Sequence, residues 1–127
     1  MRKRIIYILI PMMVFIGIFL LFRMVFFIGI VPTSSMEPTL KENSVVFGKR
    51  LFSEVQVGDI IVFKHDGSLL VKRIVAVEGD IVEWRGKELV VPSGEYFVLG
   101  DNEEHSYDSR FWDDPFVHVT DITAKLF

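Results

Sequence analysis

Apolar and polar positions are distributed very unevenly along this chain. Between Ile5 and Phe22 no charged residue interrupts the apolar run, and Arg2, Lys3 and Arg4 precede it. At ~1.5 Å per helical residue the run nearly crosses a ~30 Å hydrocarbon core, so it predicts one membrane-spanning helix. Two ends are open to that helix. It stops near Arg23 and Met24–Val31 forms a first strand, or it continues to Val31 with Arg23 reaching out to the interface. The first is preferred. Pro11 is expected to kink the helix, which a membrane span tolerates. The basic residues at positions 2–4 keep the N-terminus cytoplasmic, so the chain divides into residues 1–4 inside, 5–23 in the membrane and 24–127 outside. A cleaved signal peptide shares the basic-then-apolar pattern. The run exceeds an ordinary signal core and no small-x-small site precedes Pro32, which favours an uncleaved anchor.

Beyond the span the period changes from that of a helix to that of short strands. Asn43–Gly48, Val57–Phe63, Leu69–Val77, Ile81–Trp84, Glu88–Val91 and Glu95–Leu99 are apolar-rich segments. Asp66-Gly67, Glu78-Gly79-Asp80 and Arg85-Gly86-Lys87 punctuate them as turns. A polar loop, Gly100–Arg110, follows. The pattern predicts a mainly β domain, a small twisted antiparallel sheet or partial barrel, behind one N-terminal transmembrane helix.

Charge sharpens this division. The chain carries −3 overall, yet all 17 acidic residues lie at or after Glu37. From Met24 onward ten basic residues face those 17, a net charge of −7. An acidic outer domain argues against nucleic acid as a partner. The absence of cysteine excludes disulfides, a thiol nucleophile and a thiolate metal site.

Two residues carry candidate chemistry. Lys72 lies in Leu69-Leu-Val-Lys-Arg-Ile-Val-Ala-Val77, where alternation puts it on one face with Leu70, Ile74 and Ala76. A lysine between apolar neighbours is desolvated, which lowers its pKa and suits it to act as a general base. The structural alternative is an edge strand whose Lys72 and Arg73 reach water. Ser35 lies in the hydroxyl-rich turn Thr33-Ser34-Ser35 between Pro32 and Pro38. It either caps that turn or serves as a nucleophile that needs a neighbouring base. His65, His105 and His118 are the competing bases, with His65 expected to be solvent-exposed. Asp101, Glu103, Glu104, His105 and Asp108 suggest a metal loop, but they lack the ordered alternation of a calcium-binding loop.

Together these segments resemble type I signal peptidases, membrane-bound serine proteases. Ser34-Ser-Met-Glu-Pro-Thr-Leu40 is similar to their nucleophile box. Leu70-Val-Lys-Arg-Ile-Val-Ala-Val-Glu-Gly-Asp80 is similar to the box that carries their lysine. Gly100-Asp-Asn-Glu-Glu-His-Ser-Tyr-Asp-Ser-Arg110 is similar to their Gly-Asp-Asn…Ser-x-Asp-Ser-Arg box. The resemblance implies Ser35 as nucleophile and Lys72 as general base. It implies an oxyanion hole from the Ser35 N–H and the Thr33 hydroxyl. Ser106 would hydrogen-bond the lysine amine, Asp108 and Arg110 would form an ion pair, Asp101 and Asn102 would shape the turn, and Arg73 would be structural. It implies no cofactor and no metal.

The same resemblance implies cleavage of secreted preproteins after small residues in the pattern Ala-x-Ala, with Met24–Val31 and Leu69–Val71 lining the pockets. Membrane lipid is an expected partner, with Phe26, Phe27 and Ile28 resting on the outer leaflet, and the secretion translocase is a second one. The expected location is the cell membrane, single-pass. Glu103, Glu104, His105, Ala76 and Glu78 depart from residues common in the family without removing a proposed catalytic group. Rival readings are a non-catalytic assembly factor for surface structures, an anchored β-domain with a binding role, and a self-cleaving repressor-like protein, whose relatives are soluble.

Overall fold

The structure, a computed structural model, describes residues 2–127. Pro11 does not interrupt the first helix, α1, which runs from Arg2 to Val25 with none of its side chains buried. It is long and apolar enough to cross a membrane. It ends two residues beyond Arg23, where the chain turns directly into strand β1, Phe26–Ile30. The end of α1 is capped from a distance. The Arg50 N–H donates to the Val25 carbonyl at 2.7 Å. Arg50 Nε donates to the carbonyls of Arg23 and Phe26 at 3.1 and 3.2 Å. The Arg23 and Val25 carbonyls lack partners within the helix, and a guanidinium also suits the negative end of its dipole.

The remaining chain is mainly antiparallel sheet. Its strands are β2 (Val45–Lys49), β3 (Ile60–His65), β4 (Ser68–Ala76), β5 (Ile81–Trp84), β6 (Lys87–Val90), β7 (Glu95–Leu99), β8 (Phe116–His118) and β9 (Ile122–Leu126). Seven form one sheet in the order β1-β2-β9-β3-β4-β7-β8, and β5 pairs only with β6. Two hairpins turn as the sequence predicts. Asp66-Gly67 and Arg85-Gly86 both take positive φ at the two central positions, the requirement of a tight two-residue hairpin.

The last strand has no counterpart among the strands predicted from sequence. β9 joins the β1–β2 ribbon to the rest of the sheet, pairing Gly48 with Leu126 on one side and Val62 with Ala124 on the other. Its sequence, Ile-Thr-Ala-Lys-Leu, alternates apolar and polar residues as a strand does, but five residues do not reveal which strands it joins. Its position is fixed by tertiary pairing.

Burial follows the pleat. Along β3, Ile61 and Phe63 enter one core with Ile74, Val98, Trp112 and Val117. Val62 points the other way, into a second core with Phe27, Val31, Val46, Ala124 and Leu126. β3 is thus covered on both faces. In β1 the alternation corrects an expectation. Phe26, Ile28 and Ile30 are exposed, but Phe27 is buried in the second core and does not face outward.

β2 and β9 approach closely at Gly48, where an added Cβ would stand 2.7 Å from the Lys125 carbonyl oxygen. Gly48→Val is expected to wedge the two strands apart and cost about 1–3 kcal/mol. Urea unfolding of the full chain in detergent, followed by tryptophan fluorescence, measures it. Gly17→Ala, where nothing lies within 4 Å, serves as the neutral comparison. An unchanged midpoint for Gly48→Val would mean that β9 does not tie the sheet together.

Candidate active site

Ser35 sits in a single 3₁₀ turn, Ser34–Met36, that follows β1. The turn's own hydrogen bond runs from the Glu37 N–H to the Ser34 carbonyl and does not use the Ser35 N–H. Met36 anchors the turn by complete burial. A second clamp comes from the polar loop. The Asn102 N–H donates to the Ser35 carbonyl at 2.9 Å, and Asn102 Nδ2 donates to the Ser34 carbonyl at 3.0 Å. The seryl backbone is therefore fixed from both sides.

Lys72 reaches this turn from β4. That strand lies between β3 and β7, so it is not the edge strand of the structural alternative. Lys72 is only 4% exposed and Ser35 only 6%. Lys72 Nζ stands 2.7 Å from Ser35 Oγ. The Thr33 hydroxyl donates to the same Oγ at 3.2 Å. Burial lowers the Lys72 pKa, and the negative charge of Asp108 partly opposes this. The amine is thus poised nearer its neutral form than a surface lysine.

The loop after β7 is held by two arginine–aspartate pairs. Arg110 Nε donates to Asp108 Oδ1 at 2.9 Å, and Arg110 Nη2 donates to Oδ2 at 3.0 Å. Asp108 is fully buried and also accepts the Gly100 N–H at 3.0 Å. Burial alone would raise its pKa, but the bonds from Arg110 and Gly100 outweigh that and hold the carboxyl below its ordinary value. Arg73 makes a bidentate pair with Asp101 at 2.8 and 2.7 Å, which lowers the Asp101 pKa. Sequence reasoning assigned Arg73 and Asp101 separate structural roles and did not foresee that they pair across the strand and loop.

One expected contact is not formed. Ser106 is buried near the site, yet its hydroxyl makes no hydrogen bond to Lys72 or any other group among the described residues. It lies close enough to Asp108 to favour that carboxylate's charge without a well-aligned bond. Gly100, which opens the third motif but was given no role there, explains the tightness. A Cβ there would run into the Ser106 side chain and stand 2.6 Å from the Ser35 carbonyl oxygen. A glycine that opens a polar loop was the signal for it in the sequence.

The histidines lie elsewhere. His65 stacks on Trp112 at 4.0 Å between ring centroids, so it is less exposed than its sequence neighbours suggested. His118 faces the Thr120 hydroxyl. His105 is exposed in a short turn. Ser35 Oγ hydrogen-bonds only Lys72 and Thr33 among the described residues.

One hollow adjoins Ser35 and a second lies next to the first. The first, of about 40 Å³, lies against Thr33, Ser35, Leu70 and Lys72. The second, of about 360 Å³, lies between β1 and the start of β4, walled by Phe27, Gly29, Val62 and Val71. Pro32, Leu69 and Val71 border both. Beside them the outer edge of β1 is free of any strand.

An apolar helix leading into a β domain that buries a serine against a lysine defines a narrow class of chain. Its residues 2–91 and 84–127 match the family model described as signal peptidase, peptidase S26, and the chain belongs to that family. It is 33% identical to thylakoidal processing peptidase 1 of Arabidopsis thaliana, over 65% of this chain and 36% of that protein. It is 35% identical to mitochondrial inner membrane protease subunit 1 of Mus musculus, over 61% and 54%. With signal peptidase I S of Bacillus subtilis it shares 30% identity over 64% of each. The chain therefore spans less than two thirds of the length of these relatives.

Asp108→Ala leaves the buried Gly100 N–H and the Arg110 fork without their acceptor, at an expected cost of about 1–3 kcal/mol. The folded pKa of Asp108 is depressed, so its contribution is present above the unfolded value of about 3.9 and fades as pH falls through the folded value. Unfolding of wild type and Asp108→Ala across pH should show a gap that is full near neutrality and closes in acid. A gap independent of pH would contradict this role for the carboxylate.

Proposed function

We propose that this chain is a membrane-anchored serine endopeptidase that removes signal peptides from exported preproteins, cutting after small residues in an Ala-x-Ala pattern. The observation that carries the reading is the 2.7 Å contact between a buried lysine amine and a buried seryl hydroxyl. Membership of the signal peptidase family supports the substrate class.

Ser35 Oγ attacks the scissile carbonyl carbon while neutral Lys72 accepts the hydroxyl proton. The resulting oxyanion is met by the Ser35 N–H and by the Thr33 hydroxyl, which turns from Ser35 Oγ toward it. Such donors act by facing charge that exists only in the transition state. The Lys72 ammonium then protonates the departing amine, leaving an acyl group on Ser35. Lys72 next takes a proton from a water molecule that attacks the ester, and returns it to the departing Ser35 Oγ, which frees Ser35 and a carboxylic acid that ionises in solvent. Neither metal nor cofactor enters this sequence. Asp108 and Arg110, Asp101 and Arg73, and Asn102 hold the two reacting side chains in register.

The hollows suit this substrate. The 40 Å³ hollow beside Ser35 admits a side chain no larger than a few atoms, and the larger hollow takes a second. An extended peptide laid along the free edge of β1 gains main-chain hydrogen bonds without constraining sequence. α1 anchors the chain in the membrane, residues 1–4 are cytoplasmic and the β domain lies outside. The exposed Phe26, Ile28 and Ile30 then rest on the outer leaflet.

Detergent-solubilised full-length protein is expected to cut a preprotein with an Ala-x-Ala site. Ser35→Ala should lose all cleavage and remain folded. Lys72→Arg should lose it too, because a guanidinium does not deprotonate near neutral pH; substantial cutting by that variant would sink the general-base assignment. The lowered Lys72 pKa predicts that kcat/KM rises with pH along one limb and levels off below the ordinary lysine value of about 10.4. A limb centred at or above that value would mean that the amine is not desolvated during catalysis.

A further inference from the structure

We propose that the elbow between α1 and β1 binds the phosphate headgroup of an anionic phospholipid. This rests on the reading of α1 as a membrane span. A hollow of about 290 Å³ lies at the elbow, lined by Phe19, Phe22, Arg23, Phe26, Ile28 and Arg50. Its floor is aromatic, with the Phe22 and Phe26 rings 4.7 Å apart. Its polar groups are two guanidiniums.

Those two guanidiniums differ from the others in the β domain. Arg73, Arg85 and Arg110 each pair with an aspartate. Among the described residues neither Arg23 nor Arg50 has a carboxylate within 4.0 Å. The Arg50 guanidinium lies over the Phe27 ring at 5.2 Å and donates only through Nε, to backbone carbonyls, so its terminal nitrogens have no hydrogen-bond acceptor among the described residues. Two arginines without a carboxylate partner, at one point beside a domain that carries −7 from Met24 onward, call for an anion from outside the chain. The planar fork of a guanidinium matches phosphate oxygens. A lipid fits better than free phosphate because the aromatic floor continues the exposed apolar surface of α1, along which acyl chains would lie. Arg50 also caps α1, so a bound headgroup would brace the joint that sets the height of Ser35 above the bilayer.

The test uses full-length protein in phosphatidylcholine nanodiscs doped with a photoreactive lipid, with crosslinks mapped by peptide mass spectrometry. A headgroup-labelled phosphatidylglycerol should mark Phe19–Ile28 and the segment around Arg50, more strongly than headgroup-labelled phosphatidylcholine. Arg23→Gln should lower that yield about fivefold, the equivalent of roughly 1 kcal/mol for one interfacial basic residue. Labelling near Arg2–Arg4 should not change and serves as the internal control. Equal elbow labelling by both headgroups, or no response to Arg23→Gln, overturns the site. A second probe, reactive at the acyl terminus, should mark the middle of α1 around Val14–Ile18. Its failure to do so would overturn the membrane-span reading and the site with it. Mid-helix labelling without headgroup preference would overturn the site alone.

Discussion

The structure depends on keeping one amine dry. Lys72 stands 2.7 Å from Ser35, and its pKa lies below the ordinary lysine value because burial disfavours the ammonium. Desolvating an ammonium is costly, so the surroundings must be rigid enough to hold the lysine in place. Interior β4 supplies that rigidity. It is paired on both sides, and its Ile74 is part of a core that includes Phe63 and Trp112. Asp108 works against the desolvation, so the pKa of the amine reflects a balance.

That carboxylate is nevertheless needed, for a mechanical reason. The loop Gly100–Arg110 has few apolar side chains to bury and is held by charge-assisted bonds. Asp108 gathers Arg110 and the Gly100 N–H, and Asp101 clasps Arg73 on β4 itself. Bidentate arginine–carboxylate pairs fix orientation as well as distance. Through Asn102 the same loop grips the carbonyls of Ser34 and Ser35. One loop therefore sets the positions of both the strand with the lysine and the turn with the serine.

The β1–β2 ribbon carries a different constraint. Its inward residues, Phe27 and Val46, complete the second core, while Phe26, Ile28, Ile30, Val45 and Phe47 form an exposed apolar face directly beyond α1. In water such a face is a liability, and at a bilayer surface it is compatible with its surroundings. The Arg50 cap on α1 makes the orientation of this face follow the helix.

Much of this was legible in the sequence because it is local. The apolar run gave α1, alternation gave the faces of β4, and the Asp66-Gly67 and Arg85-Gly86 pairs gave tight hairpins. Ordered motifs pointed to Ser35 and Lys72. What escaped is non-local. β9 alternates as a strand does, but nothing local in five residues announces that it joins two halves of a sheet. Phe27 turned inward because register, not hydrophobicity, decides which face a strand residue takes. The Arg73–Asp101 pair and the steric demand at Gly100 arise only when segments distant in sequence pack together. The unpartnered Ser106 hydroxyl departs from what family resemblance implied. By itself the sequence determined the membrane-length helix, the β character and the residue types available for chemistry, since these follow from composition and short-range periodicity. Only the tertiary structure decided that serine and lysine meet in a dry place, because desolvation is a property of everything packed around a group.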